Sequence, residues 1–195
     1  ANLVAPDGQG IVWLSRLAGK PLPERIPGID VMTGLMERGN RYGYRIFFLG
    51  ARPEVVHEVV EKAKHRYPDL SIVGYHDGYF DIDSDGRKVA EEIKASGADV
   101  LFVAITPPKK EIFIDRWNDF MEVPVCHGVG GSFDVFAGRT KRAPRWMQSA
   151  GLEWFFRIIQ EPRRMWKRYL VTNTLFLFMG IREIITTRFK TLKLK

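Results

Sequence analysis

The chain has 195 residues, 45% of them hydrophobic and 27% charged, a globular balance that excludes a disordered polymer and leaves room for one substantial core. Its formal charge of +7 is uneven: residues 139–195 carry 14 Lys and Arg against 3 acids, whereas residues 1–138 carry 16 against 20. An anionic partner is therefore expected for the C-terminal part, and a single cysteine, Cys126, excludes an internal disulfide and suits a reducing compartment.

The chain opens on Pro6-Asp7-Gly8 ahead of a predicted helix, Gln9–Ala18, and it starts without Met, so further residues are expected upstream. Arg45–Leu49, Leu70–Tyr75, Val100–Ile105 and Val123–His127 are short, apolar and rich in β-branched or aromatic residues, the pattern of buried parallel strands. Between them Pro53–Tyr67, Asp85–Ser96 and Pro107–Phe120 have amphipathic helical spacing, with Pro53 suited to a first turn and Gly97 to a stop. This βαβαβ rhythm predicts an α/β, Rossmann-like parallel sheet with flanking helices, whose ligands sit at the carboxyl ends of the strands.

Gly50 ends the first strand, and the turn it opens suits a phosphate, although the full Gly-x-Gly-x-x-Gly fingerprint of a nicotinamide dehydrogenase is absent. Asp81-Ile-Asp83-Ser-Asp85-Gly86 has the Asp-x-Asp spacing of a diphosphate-bound cation, but Asp, Ser and Gly before a helix first make a loop and a cap, so no metal is expected. Cys126 and His127 read as strand residues rather than as nucleophile and base. The segment from Gly128 to Asp134 sets a glycine-rich turn and a carboxylate before a run of arginines, the residue types that hold a diphosphate leaving group. Asp134 has two readings, a ligand of a sugar hydroxyl or a helix cap.

Beyond residue 145 a basic, aromatic helical appendage is expected, giving a catalytic domain over 1–145 and an appendage over 146–195. Leu152, Phe155, Phe156 and Ile159 would share one helical face, and Arg157, Arg164 and Arg168 another, with Pro162 a point of kinking. Arg157, Arg163, Arg164, Lys167 and Arg168 alternate with Trp154, Met165, Trp166 and Tyr169. The apolar stretch Tyr169–Ile181 falls short of the roughly 20 residues of a spanning helix, and basic residues follow it, the pattern of a segment lying in a lipid interface. The same composition leaves open a non-catalytic basic module that binds nucleic acid or membrane, but nucleic acid is not favoured, since no RRM, KH or helix-turn-helix signature is present.

Seven motifs, in order, carry a resemblance: Pro6-Asp7-Gly8, Arg25-Ile-Pro-Gly-Ile-Asp30, Pro108-Lys-Lys-Glu111, Gly128-Val-Gly-Gly-Ser-Phe-Asp134, Arg142-Ala-Pro144, Gly151-Leu-Glu-Trp154 and Glu161-Pro-Arg-Arg164. Together they resemble the WecG/TagA/CpsF glycosyltransferases. The resemblance implies an inverting, metal-independent enzyme, without cofactor, that moves an N-acetylmannosamine-type or related sugar from UDP to a polyprenyl-diphosphate-linked acceptor in cell-surface polysaccharide synthesis. It places such an enzyme peripherally, at the cytoplasmic face of the cell membrane. By resemblance Asp7 is the catalytic base, while its residue-level alternative is an N-cap of the first helix. The resemblance likewise assigns Arg25, Arg157 and Arg164 to catalysis; substrate binding is expected of Gly50, Lys109, Lys110, Glu111, Gly130, Gly131, Asp134, Arg163 and Arg168. Lys110 stands where many members have glutamine; it replaces a donor and acceptor with a point charge and puts the donor sugar's identity in question.

Overall fold

The structure, a computed structural model, describes residues 4–192, without the side chains of residues 164, 165, 167–169 and 183–192. The chain divides into two compact units, residues 28–141 and residues 1–27 together with 142–195.

In the first unit β1 (Arg45–Gly50), β2 (Ser71–His76), β3 (Val100–Ala104) and β4 (Val125–Gly128) pair in parallel, in the spatial order β2-β1-β3-β4. All four lie where the apolar runs predict them. Side chains alternate across the sheet, so Ile46, Phe48, Val100 and Phe102 enter one core and Phe47, Leu49, Leu101 and Val103 the other. The first core is closed by α2 (Gly28–Tyr42), α3 (Pro53–Arg66) and α6 (Ser132–Phe136), through Met32 and Met36, Val55 to Val60, and Phe133. The second is closed by α4 (Gly86–Ser96) and α5 (Lys109–Met121), through Val89, Ala90, Ile93, Phe113 and Met121. Helices on both faces explain why the strands read as continuous apolar runs. Gly97 ends α4 in the left-handed region, φ 61°, as its position predicts.

The other unit is built from the two ends of the chain. Helix α1 (Gln9–Leu17) packs on α9 (Pro162–Leu192): the Phe176 ring lies against Gly10, and Leu14 lies against Gly180. Short α7 (Arg145–Ser149) and α8 (Glu153–Gln160) precede α9. The sequence places residues 1–145 in one domain, whereas residues 1–27 group here with the C-terminal segment, because the partners of α1 lie on α9. The continuous helical ladder expected through Pro162 is two helices. Glu161 leaves helical geometry, φ −131° and ψ 62°, and Pro162 opens α9, where its missing N–H costs nothing.

Candidate functional site

Within the sheet unit the strand order reverses between β1 and β3, the place where an open parallel sheet forms a crevice at its carboxyl edge. Gly50 makes the two strand ends meet. Its φ is 117°, and a Cβ there would stand 2.5 Å from the carbonyl carbon of Ala104, so only glycine fits. Ala51 N–H donates to the Ala104 carbonyl at 3.0 Å, and Gly78 N–H donates to the Ala51 carbonyl at 2.8 Å, which fixes the turn.

Lys109, Lys110 and Glu111 open α5 just after β3, so they stand at the same edge. The Lys110 side chain runs over the end of β4: a Cβ on Gly128 would meet its Cδ, Cε and Nζ at 3.0–3.1 Å. Its ammonium pairs with Glu111 at 3.0 Å and, chiefly by that hydrogen bond, holds the Glu111 carboxyl below its usual range. Gly130, φ 51°, and Gly131, the N-terminal cap residue of α6, follow β4, and Val129 N–H ties that turn to the Val103 carbonyl at 2.9 Å. Asp134 sits inside α6, so the cap reading falls to Gly131; its backbone carbonyl accepts from Arg139 and Thr140. Gly50, Lys109, Lys110, Glu111, Gly130 and Gly131 thus share one edge of the sheet unit, with Asp134 one turn into the helix that follows.

The neighbouring groups keep structural duties. His127 Nε2 lies 3.1 Å from the Gly28 carbonyl, and its ring meets Phe102 edge-on. Burial pushes the Cys126 thiol up to about 11, the opposite of an activated nucleophile. The Asp81 carboxylate accepts from the backbone N–H groups of Asp83 and Ser84, Asp85 accepts from Asp81 N–H and Ser84 Oγ, and Asp83 pairs with Arg116 at 2.6 Å. The loop reading accounts for every carboxylate of the Asp-x-Asp segment.

The remaining candidates belong to the other unit. Asp7 is exposed and stands one residue before the cap position of α1, which Gly8 occupies, so the cap reading of Asp7 passes to Gly8. The Pro6 carbonyl accepts from Ile26 N–H at 2.8 Å, which joins the Asp7 segment to the Arg25 segment. Arg25 is not a solvated surface arginine. Its Nη1 is 2.8 Å from Glu153 Oε2, and the two side chains are only 14% and 12% exposed. Arg157, one turn along α8, reaches the other oxygen of Glu153 at 3.6 Å. All four catalytic candidates, Asp7, Arg25, Arg157 and Arg164, thus belong to one unit, and Arg25 and Arg157 meet on Glu153. Arg163 is exposed in the first turn of α9, while the side chains of Arg164 and Arg168 lie outside the described residues.

Sequence reasoning gave Glu153 no role. Its i,i+4 spacing to Arg157 was visible; its pairing with Arg25, across the whole sheet unit in sequence, was not.

The family model for the glycosyl transferase WecG/TagA/CpsF family matches residues 1–190. This chain belongs to that family. Among its WecG/TagA/CpsF relatives is an N-acetylglucosaminyldiphosphoundecaprenol N-acetyl-β-D-mannosaminyltransferase of Bacillus spizizenii, 42% identical over 170 residues, 87% of this chain and 65% of the relative. The enzyme of the same name from Bacillus subtilis is 44% identical over the same shares. One from Staphylococcus aureus is 35% identical over 179 residues, 92% of this chain and 68% of the relative. The chain therefore spans about two thirds of the length of the curated relatives it matches.

Proposed function

We propose that this chain transfers an N-acetylmannosamine-type sugar from UDP to a polyprenyl-diphosphate-linked saccharide, with N-acetylglucosaminyldiphosphoundecaprenol, the acceptor in its relatives' name, the first candidate. The acceptor hydroxyl oxygen attacks the anomeric carbon from the face opposite UDP, and its proton passes to the Asp7 carboxylate. The bond from the anomeric carbon to the diphosphate oxygen breaks, and its electron pair leaves with UDP. Arg25, Arg157 and Arg164 meet the charge that grows on that diphosphate, with Arg163 and Arg168 beside them. Gly50, Lys109, Lys110, Glu111, Gly130, Gly131 and Asp134 hold the donor. No step is routed through a metal ion or cofactor.

Family membership supports this reading, and the observation that carries it is the grouping of Asp7, Arg25 and Arg157 in one unit, two arginines sharing a buried carboxylate. The C-terminal segment works at the membrane surface, placing the enzyme peripherally on the cytoplasmic face. Its support is the exposed apolar surface of α9, from Leu170 and Val171 through Leu175, Leu177, Phe178 and Met179 to Ile181. No helix among the described residues is long and apolar enough to cross a membrane.

Screening UDP-sugars against a short polyprenyl-diphosphate-linked N-acetylglucosamine acceptor tests the activity, read as UDP release with transfer. Asp7→Asn keeps the shape but accepts no proton at neutral pH, so turnover should fall about a hundredfold or more with UDP binding little changed. Near-normal turnover removes Asp7 from the mechanism.

A further inference from the structure

Among the described residues, the arginine–carboxylate clusters are built in different ways. Arg45 gives Asp99 a full fork, Nε to Oδ2 at 3.1 Å and Nη2 to Oδ1 at 2.9 Å, with its own backbone N–H adding a third bond at 2.8 Å. Arg139 grips Glu58 the same way, at 3.0 and 2.8 Å. In both, one arginine closes a full fork on a carboxylate lying toward the surface, Arg139 also facing Glu54 at 3.7 Å, the form that fastens one element to another.

Glu153 departs from that form in three respects. It is more buried, with its side chain 12% exposed. It faces two guanidiniums rather than one, so the cluster keeps one net positive charge. Its bonding is also incomplete: Oε2 lies 2.8 Å from Arg25 Nη1 but off the hydrogen-bonding line and makes no hydrogen bond, and Arg157 stands at 3.6 Å, beyond hydrogen-bond length. Burying charge in so loose an arrangement is a poor source of stability, because desolvation is recovered only by good geometry and full hydrogen bonding. Residual positive charge on two arginines held by one acid instead suits an anion that completes the cluster.

We propose that Glu153 is a positioning residue, which sets Arg25 and Arg157 side by side as one receiver for a diphosphate. It touches no substrate and acts through the two guanidiniums. The inference rests on the reading of this chain as a diphosphate-releasing transferase. The diphosphate could come from the UDP-sugar or from the lipid-linked acceptor, and both present the same pair of anionic groups.

The test is a mutant cycle run in detergent with a soluble acceptor analogue. Glu153→Gln keeps the size of the side chain and removes the charge that aligns both arginines, so turnover should fall about tenfold to a hundredfold. In an Arg157→Ala background the same change should cost less than threefold, since the group it positions is gone. Equal losses in both backgrounds overturn the proposal.

Binding of inorganic pyrophosphate, measured by calorimetry, separates positioning from damage. Arg25→Ala should weaken it about tenfold or more, whereas Glu153→Gln, which raises the local charge, should hold or tighten it. Pyrophosphate affinity that falls with turnover in Glu153→Gln marks a structural lesion and sinks the idea, as does a wild-type protein that binds no pyrophosphate. If Glu153→Gln does not fold, Glu153→Asp, which keeps the charge on a shorter arm, carries the same cycle. The source follows from KM in Arg157→Ala, raised for the UDP-sugar or for the acceptor. If wild-type protein turns over no donor at all, the transferase reading fails by itself, and the pyrophosphate series still decides for or against the receiver.

Discussion

Burial raises the Cys126 thiol from 9.0 to about 11, so at neutral pH it is almost wholly protonated, and the thiolate is the reactive form. Alkylation by iodoacetamide in the native state should be far slower than that of a free thiol at pH 8, rising only as pH approaches 11; mass spectrometry of the labelled chain reads it. The same shift has a stability sign. The folded state holds this proton more tightly than the unfolded chain, so little stability is lost below about pH 9, and stability falls as pH rises toward 11. Rapid labelling at pH 7–8 would mean the strand is open. That Cys126 is a strand residue was legible from its apolar run before a glycine turn. Arg25 was not legible in the same way, since the carboxylate that buries it lies in another motif, and a charge pair between distant segments leaves no spacing to read. Glu153 stayed hidden for the same reason, seen as part of a motif without a task.

At the level of elements, strands and crossover helices were legible because their burial is regular. Every residue of β1 after Arg45 is buried, and α3 and α4 carry clear apolar faces. Helix α2 was missed: Gly34, Gly39 and Asn40 weaken its local signal, and Met32 and Met36 earn their places by packing on the sheet. The grouping of α1 with α9 was also invisible, since it depends on contacts such as Phe176 on Gly10. The turn before α8 shows what that grouping demands of one residue. Gly151 has φ +72°, and a Cβ there would stand 2.4 Å from Gln9 Cγ and 3.2 Å from the Trp13 ring. Gly151→Ala should therefore destabilise by about 2–4 kcal/mol, from backbone strain and overpacking together. Gly34→Ala is the control: it is helical, with nothing within 4 Å, and should be neutral or stabilise by up to ~1 kcal/mol. Melting curves of the two variants should move in opposite directions, or only the first should move. Equal melting points would show that the Gly151 turn yields without cost.

Across the whole molecule the charge asymmetry and the apolar surface fall on the same part of the chain, since residues 139–195 hold 14 of the 30 Lys and Arg against 3 acids. A nucleic-acid binder would use the charge and have no need of an exposed apolar band. A membrane-surface enzyme uses both. Helix α9 separates them by residue: Phe176 is half-buried against α1, while Leu177, Phe178 and Ile181 are 62%, 70% and 57% exposed. Leu177→Glu with Phe178→Glu and Ile181→Glu should abolish sedimentation with anionic vesicles and leave helical content and turnover on a soluble acceptor analogue unchanged. Phe176→Ala should instead lower the melting temperature, because the ring fills the space over Gly10. Salt divides the two forces. Raising it should weaken wild-type vesicle binding by screening the basic residues, at about 1 kcal/mol per charge near the surface at low salt, without abolishing it, since apolar insertion is not screened. Binding that vanishes at high salt and survives the triple glutamate change would leave electrostatics alone as the anchor. Competition by single-stranded DNA would then decide whether the C-terminal segment prefers a phosphate backbone to lipid.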